Sequence, residues 1–156
     1  MTNRGFTLVE LLIVITIISV LAIALGFSYV GWQGAYKVEQ TTKDIYTDLM
    51  DARTRAMTRS RTYFAVINAD SYSIIEDTNN NTLNDDAALP TFPKRVEYAL
   101  NETITGNTIT FNTRGITTNL GSIWLTTTVA ADYDCIVIAN MRINLGQWNG
   151  ASCDPK

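Results

Sequence analysis

The stretch from Leu11 to Tyr36 contains no Asp, Glu, Lys or Arg, and no other feature limits the fold as much. Within it, the twenty residues Leu11 to Val30 carry only Thr16, Ser19 and Ser28 as polar side chains. At helical rise they cover roughly 30 Å, the thickness of a bilayer's hydrocarbon core. In lipid such a segment is helical, because only a helix satisfies its own backbone there. Arg4 precedes the run and the next basic residue is Lys37. A short positive N-terminus favours a cytoplasmic start with the rest of the chain outside. From Lys37 onward the 156-residue chain is ordinary in polarity and rich in Thr and Asn, with room for one domain.

Composition removes several classes of function. There is no histidine, the commonest general base and metal ligand. Two cysteines cannot form a four-thiolate zinc site. A net charge of −3 provides no global field for nucleic acid. Ser122 lacks the Gly-x-Ser-x-Gly frame of a nucleophile elbow. The acid pairs Asp85–Asp86 and Asp132–Asp134 fall in turn-like segments, where solvated acids outnumber catalytic ones. The chain reads as a non-enzyme without a cofactor.

The apolar run has three readings. It is a plain anchor, or a cleaved secretory signal with Ala22-Ile23-Ala24 as the small-x-small site. The third reading starts from Glu10, at the edge of the run. An ionisable side chain costs roughly 2.5–3.5 kcal/mol at the centre of a membrane helix and less near its end. Neither an anchor nor a signal gains from that cost, although a shallow Glu10 reaches the headgroups.

Arg4-Gly5-Phe6-Thr7-Leu8-Val9-Glu10 resembles the leader and processing site of type IV pilins and type II secretion pseudopilins. The resemblance covers about the first thirty residues. It implies that residues 1–5 are a leader cleaved after Gly5 by a prepilin peptidase, and that the new terminal Phe6 is N-methylated. It also implies that Glu10 faces the terminal amine of a neighbouring subunit. The residues suit those roles. Glycine at the scissile position leaves the backbone open to a peptidase. Cleavage removes Arg4 and frees an amine, whose pairing with Glu10 offsets desolvation at low dielectric. The implied partners are the peptidase and methylase, an inner-membrane assembly platform, lipid before assembly, and other pilins or pseudopilins in a fibre.

No proline occurs before Pro90, so one helix is expected from Phe6 to about Ser60, roughly 80 Å long. Residues 6–36 form its membrane or filament-core part and residues 37–60 an amphipathic stem. Val38, Ile45, Leu49, Ala52 and Ala56 lie on one helical stripe that packs on the C-terminal domain, the alternative being a short coiled coil. Glu39 and Lys43 form a favourable i,i+4 pair. Gly26, Gly31 and Gly34 mark the join, either as a point of bending or melting on assembly or as sites of close helix packing. Arg53, Arg55, Arg59 and Arg61 complement the helix dipole on a solvated face; the alternative is a DNA- or partner-binding patch.

Residues 61–156 read as an antiparallel β domain, giving an α+β chain with a long N-terminal helix packed on it. Expected strands are Thr62–Asn68, Tyr72–Glu76, Arg95–Leu100, Thr108–Asn112, Ser122–Thr128 and Cys135–Ile143. Turns are expected at Asn68-Ala69-Asp70-Ser71 and Gly106-Asn107. Phe64, Tyr98, Phe111, Trp124 and Ile138 are expected inward.

Phe111-Asn112-Thr113-Arg114-Gly115, Ser122-Ile123-Trp124-Leu125, Ile136-Val137-Ile138 and Arg142-Ile143 resemble the GspH/FimT family of H-type pseudopilins and FimT-like minor pilins. The resemblance implies the pilin lollipop architecture and a structural role as a minor subunit at or near a fibre tip. FimT-like members bind DNA through an arginine-rich stretch near the last long strand. Here the family's Gly-Arg reads Met141-Arg142, and Ile143, Asn144 and Leu145 follow without a second arginine. DNA capture through Arg142 is therefore the lesser alternative, and a secreted soluble β protein the third.

Cys135 and Cys153 are the only cysteines. In an oxidising compartment an even pair bonds, and closing eighteen positions stabilises by roughly 3 kcal/mol. The bridge would pin the tail containing Gly146 to Gly150 against the last strand; two buried free thiols are the alternative. Asp77, Asn79, Asn81 and Asp85 have the oxygen spacing of a calcium loop. Thr82 stands where such a loop needs glycine, and Ala88 where it needs a bidentate acid. An Asn-rich surface loop is the simpler reading.

Overall fold

A threonine followed three residues later by glutamate opens the first helix. In the computed structural model, which describes residues 6–156 and only the backbone of residues 24–30, α1 spans Leu8–Arg59. It ends at Ser60, a residue in the left-handed region (φ 53°). The Arg61 N–H then reaches back 3.3 Å to the Ala56 carbonyl, closing the last turn as a Schellman-type cap.

The chain divides into two compact units that meet between Gly34 and Ala35. In the first, the apolar side chains from Leu11 to Ile23 are between 45% and 67% exposed. The exposure is on every face of the helix, unlike the single stripe of a helix packed on its own domain. Among the described residues no helix is long and apolar enough to cross a membrane. The expected span Leu11–Val30 runs on into side chains outside the described set. Gly31 has open space where a Cβ would stand, and Gly26 lies outside the described side chains.

The second unit contains the rest of α1 and nine strands. β1 (Tyr63–Ile67), β2 (Ser71–Glu76), β3 (Lys94–Arg95) and β5 (Thr108–Phe111) form one antiparallel sheet in the order β3-β2-β1-β5. β4 (Leu100–Glu102), β6 (Gly121–Leu125), β7 (Cys135–Ile138), β8 (Ile143–Trp148) and β9 (Cys153–Pro155) form the other, in the order β4-β6-β7-β8-β9. Val38, Ile45, Leu49, Ala52 and Ala56 of α1 are buried in one cluster with Tyr63, Ile67, Ile74, Ile109, Phe111, Ile123, Ile136 and Ile138 of both sheets. The stem stripe therefore packs on the β domain, and the architecture is α+β as expected.

Polar clasps fix the stem on the first sheet. The buried Tyr63 hydroxyl and the Arg59 guanidinium each donate to Glu76 Oε2 at 2.7 Å. Asp48 Oδ2 accepts from the Tyr72 hydroxyl at 2.5 Å and from Lys94 Nζ at 2.6 Å. Among the described residues no buried side-chain nitrogen or oxygen lacks a partner, as a low-dielectric interior requires.

Several expected elements differ. The stretch Arg95–Leu100 is not a strand. Its two ends belong to different sheets, because the chain crosses between them by donating from Val96 and Leu100 to the carbonyls of Asp70 and Ala69. Cys135–Ile143 is two strands, reversed where Ala139 and Arg142 exchange backbone hydrogen bonds. Gly146 to Trp148 thus lies inside β8 and is not a tail. β6 stops at Leu125, leaving Thr126 to Thr128 as loop. The turn at Gly106-Asn107 joins strands of different sheets. Trp124 faces away from the core, between inward Ile123 and Leu125, and Tyr98 sits half-buried at the core's margin. Asn68 to Ser71 forms the expected hairpin turn, with Asn68 N–H donating to the Ser71 carbonyl at 2.8 Å.

Candidate assembly site and C-terminal staple

Glu10 is engaged with its own helix start. Its backbone N–H donates to Thr7 Oγ1 at 3.2 Å, and its Oε2 accepts from the Thr7 N–H at 3.4 Å. The Thr7 hydroxyl also lies 3.4 Å from that oxygen. This reciprocal pair is a capping box, and the Thr-x-x-Glu spacing is its signal in the sequence. A carboxylate in the first turn is further favoured by the helix dipole. Phe6 is 83% exposed directly before the cap. Gly5, the expected cleavage position, and Arg4 lie outside the described residues.

At the other end of the chain, Cys135 and Cys153 form a disulfide with Cα atoms 6.0 Å apart. Cys135 is on β7 and Cys153 on β9, with β8 paired between them. Strands two positions apart in a flat sheet lie about 9.5 Å from each other. β9 therefore curls over β8 at this point. Gly146 makes that approach feasible: a Cβ there would stand 2.5 Å from the Asp154 carbonyl oxygen and 2.9 Å from Cys153 Sγ. What the bridge pins is β9 and not the Gly146–Gly150 segment. Nothing in the sequence singled out Gly146, because its role depends on the fold-back.

The four stem arginines are turned toward their own chain. Arg53 Nε donates to the Gly115 carbonyl at 2.8 Å, and Arg55 pairs with Asp51 at 2.7 Å. Arg59 and Arg61 both pair with Glu76, at 2.7 and 3.7 Å. These contacts account for the cluster without an external ligand. Arg142 is exposed in the β7–β8 turn.

In the Asn-rich loop the oxygens that would face a cation face N–H and hydroxyl groups of the loop itself. Asp77 accepts from Asn81 and Thr82 at 3.2 and 2.9 Å. Asn79 Oδ1 accepts from the Asn81 N–H at 2.9 Å. Asp85 accepts from Asn81 Nδ2 at 2.9 Å. Asp86 takes the Thr78 N–H and hydroxyl at 3.0 and 2.6 Å, and these bonds hold its pKa below the usual carboxylate value. Asn80 and Thr82 occupy the left-handed region, consistent with chained Asx turns. Among the described residues no group of three or more Asp, Glu, His or Cys is placed to hold a metal ion.

A capped acidic helix start, an unpartnered apolar helix and a stem buried against two antiparallel sheets thus occur in one chain. Residues 1–26 match the family model described as the prokaryotic N-terminal methylation motif. Residues 41–141, more than half of the chain, match the one described as type II transport protein GspH. No curated protein and no solved structure matches. The chain belongs to the GspH family, as a type II secretion pseudopilin or type IV pilin carrying the N-terminal methylation motif.

Proposed function

We propose that this chain is a minor structural subunit, assembled through its N-terminal helix at or near the tip of a short type II secretion pseudopilus or a type IV pilus. The observation that supports this most is the bare apolar helix from Leu11 to Ile23. At about 25 cal/mol per Å², such a surface demands lipid or other helices around it. The sequence of events is insertion as a single-pass inner-membrane protein, cleavage after Gly5, methylation of Phe6, and extraction into the fibre among other pilins. Glu10 caps its own helix in the isolated subunit and turns to a neighbour's terminal amine on assembly. A subunit in the wrong axial register leaves that acid unpaired, which is costly at low dielectric. The β domain, outward, supplies lateral or tip contacts and no catalysis.

Two measurements test this. N-terminal sequencing of the mature protein should begin at Phe6; a start after Ala24 would make it an ordinary secreted protein. Assembly should fail for both Glu10→Ala and Glu10→Gln. Glutamine retains the capping box and lacks the charge, so a fibre-forming Glu10→Gln would show that the cap matters and the charge pairing does not.

A further inference from the structure

The outer face of the second sheet carries an aromatic feature that filament assembly does not explain. Trp124 of β6 and Trp148 of β8 stack with ring centroids 4.1 Å apart and planes within 1°. Both line a groove of about 390 Å³, together with the loop Thr126–Ala131, Asp134 and Gln147. That volume lies within the range of small-ligand sites. Asp134 is only 9% exposed and is held on three sides. Its N–H donates to the Gly146 carbonyl at 3.2 Å, its carbonyl accepts from Leu125 at 3.0 Å, and its Oδ1 accepts from the Trp148 N–H at 2.6 Å. Among the described residues no donor takes Oδ2, which is left as a fixed acceptor. Gln147 gives Nε2 to the Ala131 carbonyl at 2.8 Å, so its own carbonyl is also an oriented acceptor. Exposed Thr126 and Thr128 add hydroxyls to the lining.

We propose that this groove binds a neutral pyranose oligosaccharide. In the stack each indole covers one face of the other and keeps one outer face; the C–H face of a sugar ring is flat and weakly positive, the complement of an indole's negative face. The ring's equatorial hydroxyls need fixed acceptors and hydroxyl partners at the indole's edge, which Asp134, Gln147 and the threonines provide. Among the described residues Asp134 is the only charged one lining the groove, so a highly charged ligand finds little there. A cationic ammonium would be held better by aromatic walls at an angle than by a parallel stack.

The test uses the full chain in polyoxyethylene-ether micelles, a detergent with neither sugar nor ammonium groups. Cellotetraose and the tetramer of N-acetylglucosamine are titrated while indole emission is followed. A saturable change with at least one of them is expected. Asp134→Asn keeps an acceptor for the Trp148 N–H and should weaken binding about tenfold, the value of one charge-assisted hydrogen bond. Thr128→Val, on the exposed loop, should weaken it less, and Met141→Ala, outside the groove, not at all. The proposal is overturned if neither sugar saturates, if both groove variants bind like the wild type, or if tetramethylammonium saturates the signal at lower concentration than either sugar.

Discussion

The two stretches of α1 carry similar apolar side chains and use them differently. From Leu11 to Ile23 they occur on every face and all are exposed. In the stem, Val38, Ile45, Leu49, Ala52 and Ala56 keep to one stripe and are exposed by 1% or less. The stripe is a width a single domain can cover. An apolar surface that runs all round a helix exceeds what its own chain can bury and has to be covered by other molecules. One helix thus holds a folding element and an assembly element, told apart by periodicity rather than hydrophobicity.

Paired truncations put that contrast at risk. Leu49→Ala removes a fully buried side chain and should destabilise the β domain by about 2–5 kcal/mol. Leu12→Ala, at 53% exposure, should leave its unfolding within about 0.5 kcal/mol of wild type while weakening the fibre. Denaturation of the full chain in micelles, followed by tryptophan emission, checks both; equal effects would erase the distinction. The next largest change concerns the stapled end. Cys153→Ser should cost about 3 kcal/mol. Gly146→Val should leave two thiols open to labelling under denaturing, non-reducing conditions, because its side chain blocks the approach of β9.

How much of this was legible depended on whether the cause was local. The stem stripe was readable because Val38, Ile45, Leu49, Ala52 and Ala56 obey one helical period. The Thr7–Glu10 cap was readable too, in its three-residue spacing, and went unused. Trp124 is expected inward, but its alternation with Ile123 and Leu125 puts it on the other face. The crossing between sheets at residues 95–100 had no side-chain signal, since backbone bonds to Ala69 and Asp70 direct it. Gly146 was invisible for a similar reason: the strand that approaches it is brought there by a disulfide.

The clasp at the end of the stem allows a finer separation of the two stretches, through pH. Burial first, then its hydrogen bond to Glu76, raises the Tyr63 pKa from its ordinary 10 to about 12. In this window the unfolded chain has lost a proton that the folded chain retains. Stability from this group is therefore complete below pH 10 and is lost as pH rises toward about 12. Tyr63→Phe should cost about 1–2 kcal/mol at neutral pH, since Glu76 keeps both arginines. It should also flatten the alkaline decline between pH 10 and 12, with no effect on assembly through residues 6–23. An unchanged alkaline limb would remove Tyr63 from the account.

The smallest expected effect is on the acid side. Asp86 is half-buried, and the Thr78 hydroxyl and N–H lower its pKa from the ordinary 3.8. A lowered pKa means that the folded chain releases its proton more readily than the unfolded chain. The contribution is present above the ordinary value and disappears as pH falls below it. Asp86→Asn should slightly reduce the steepness of acid unfolding and leave the neutral midpoint almost unchanged. The Asn-rich loop should respond in the same way with and without calcium, because Asp77 and Asp86 direct their oxygens to N–H and hydroxyl groups of the loop itself. A calcium-dependent rise in the wild-type midpoint that Asp77→Asn abolishes would show instead that these bonds rearrange around a cation.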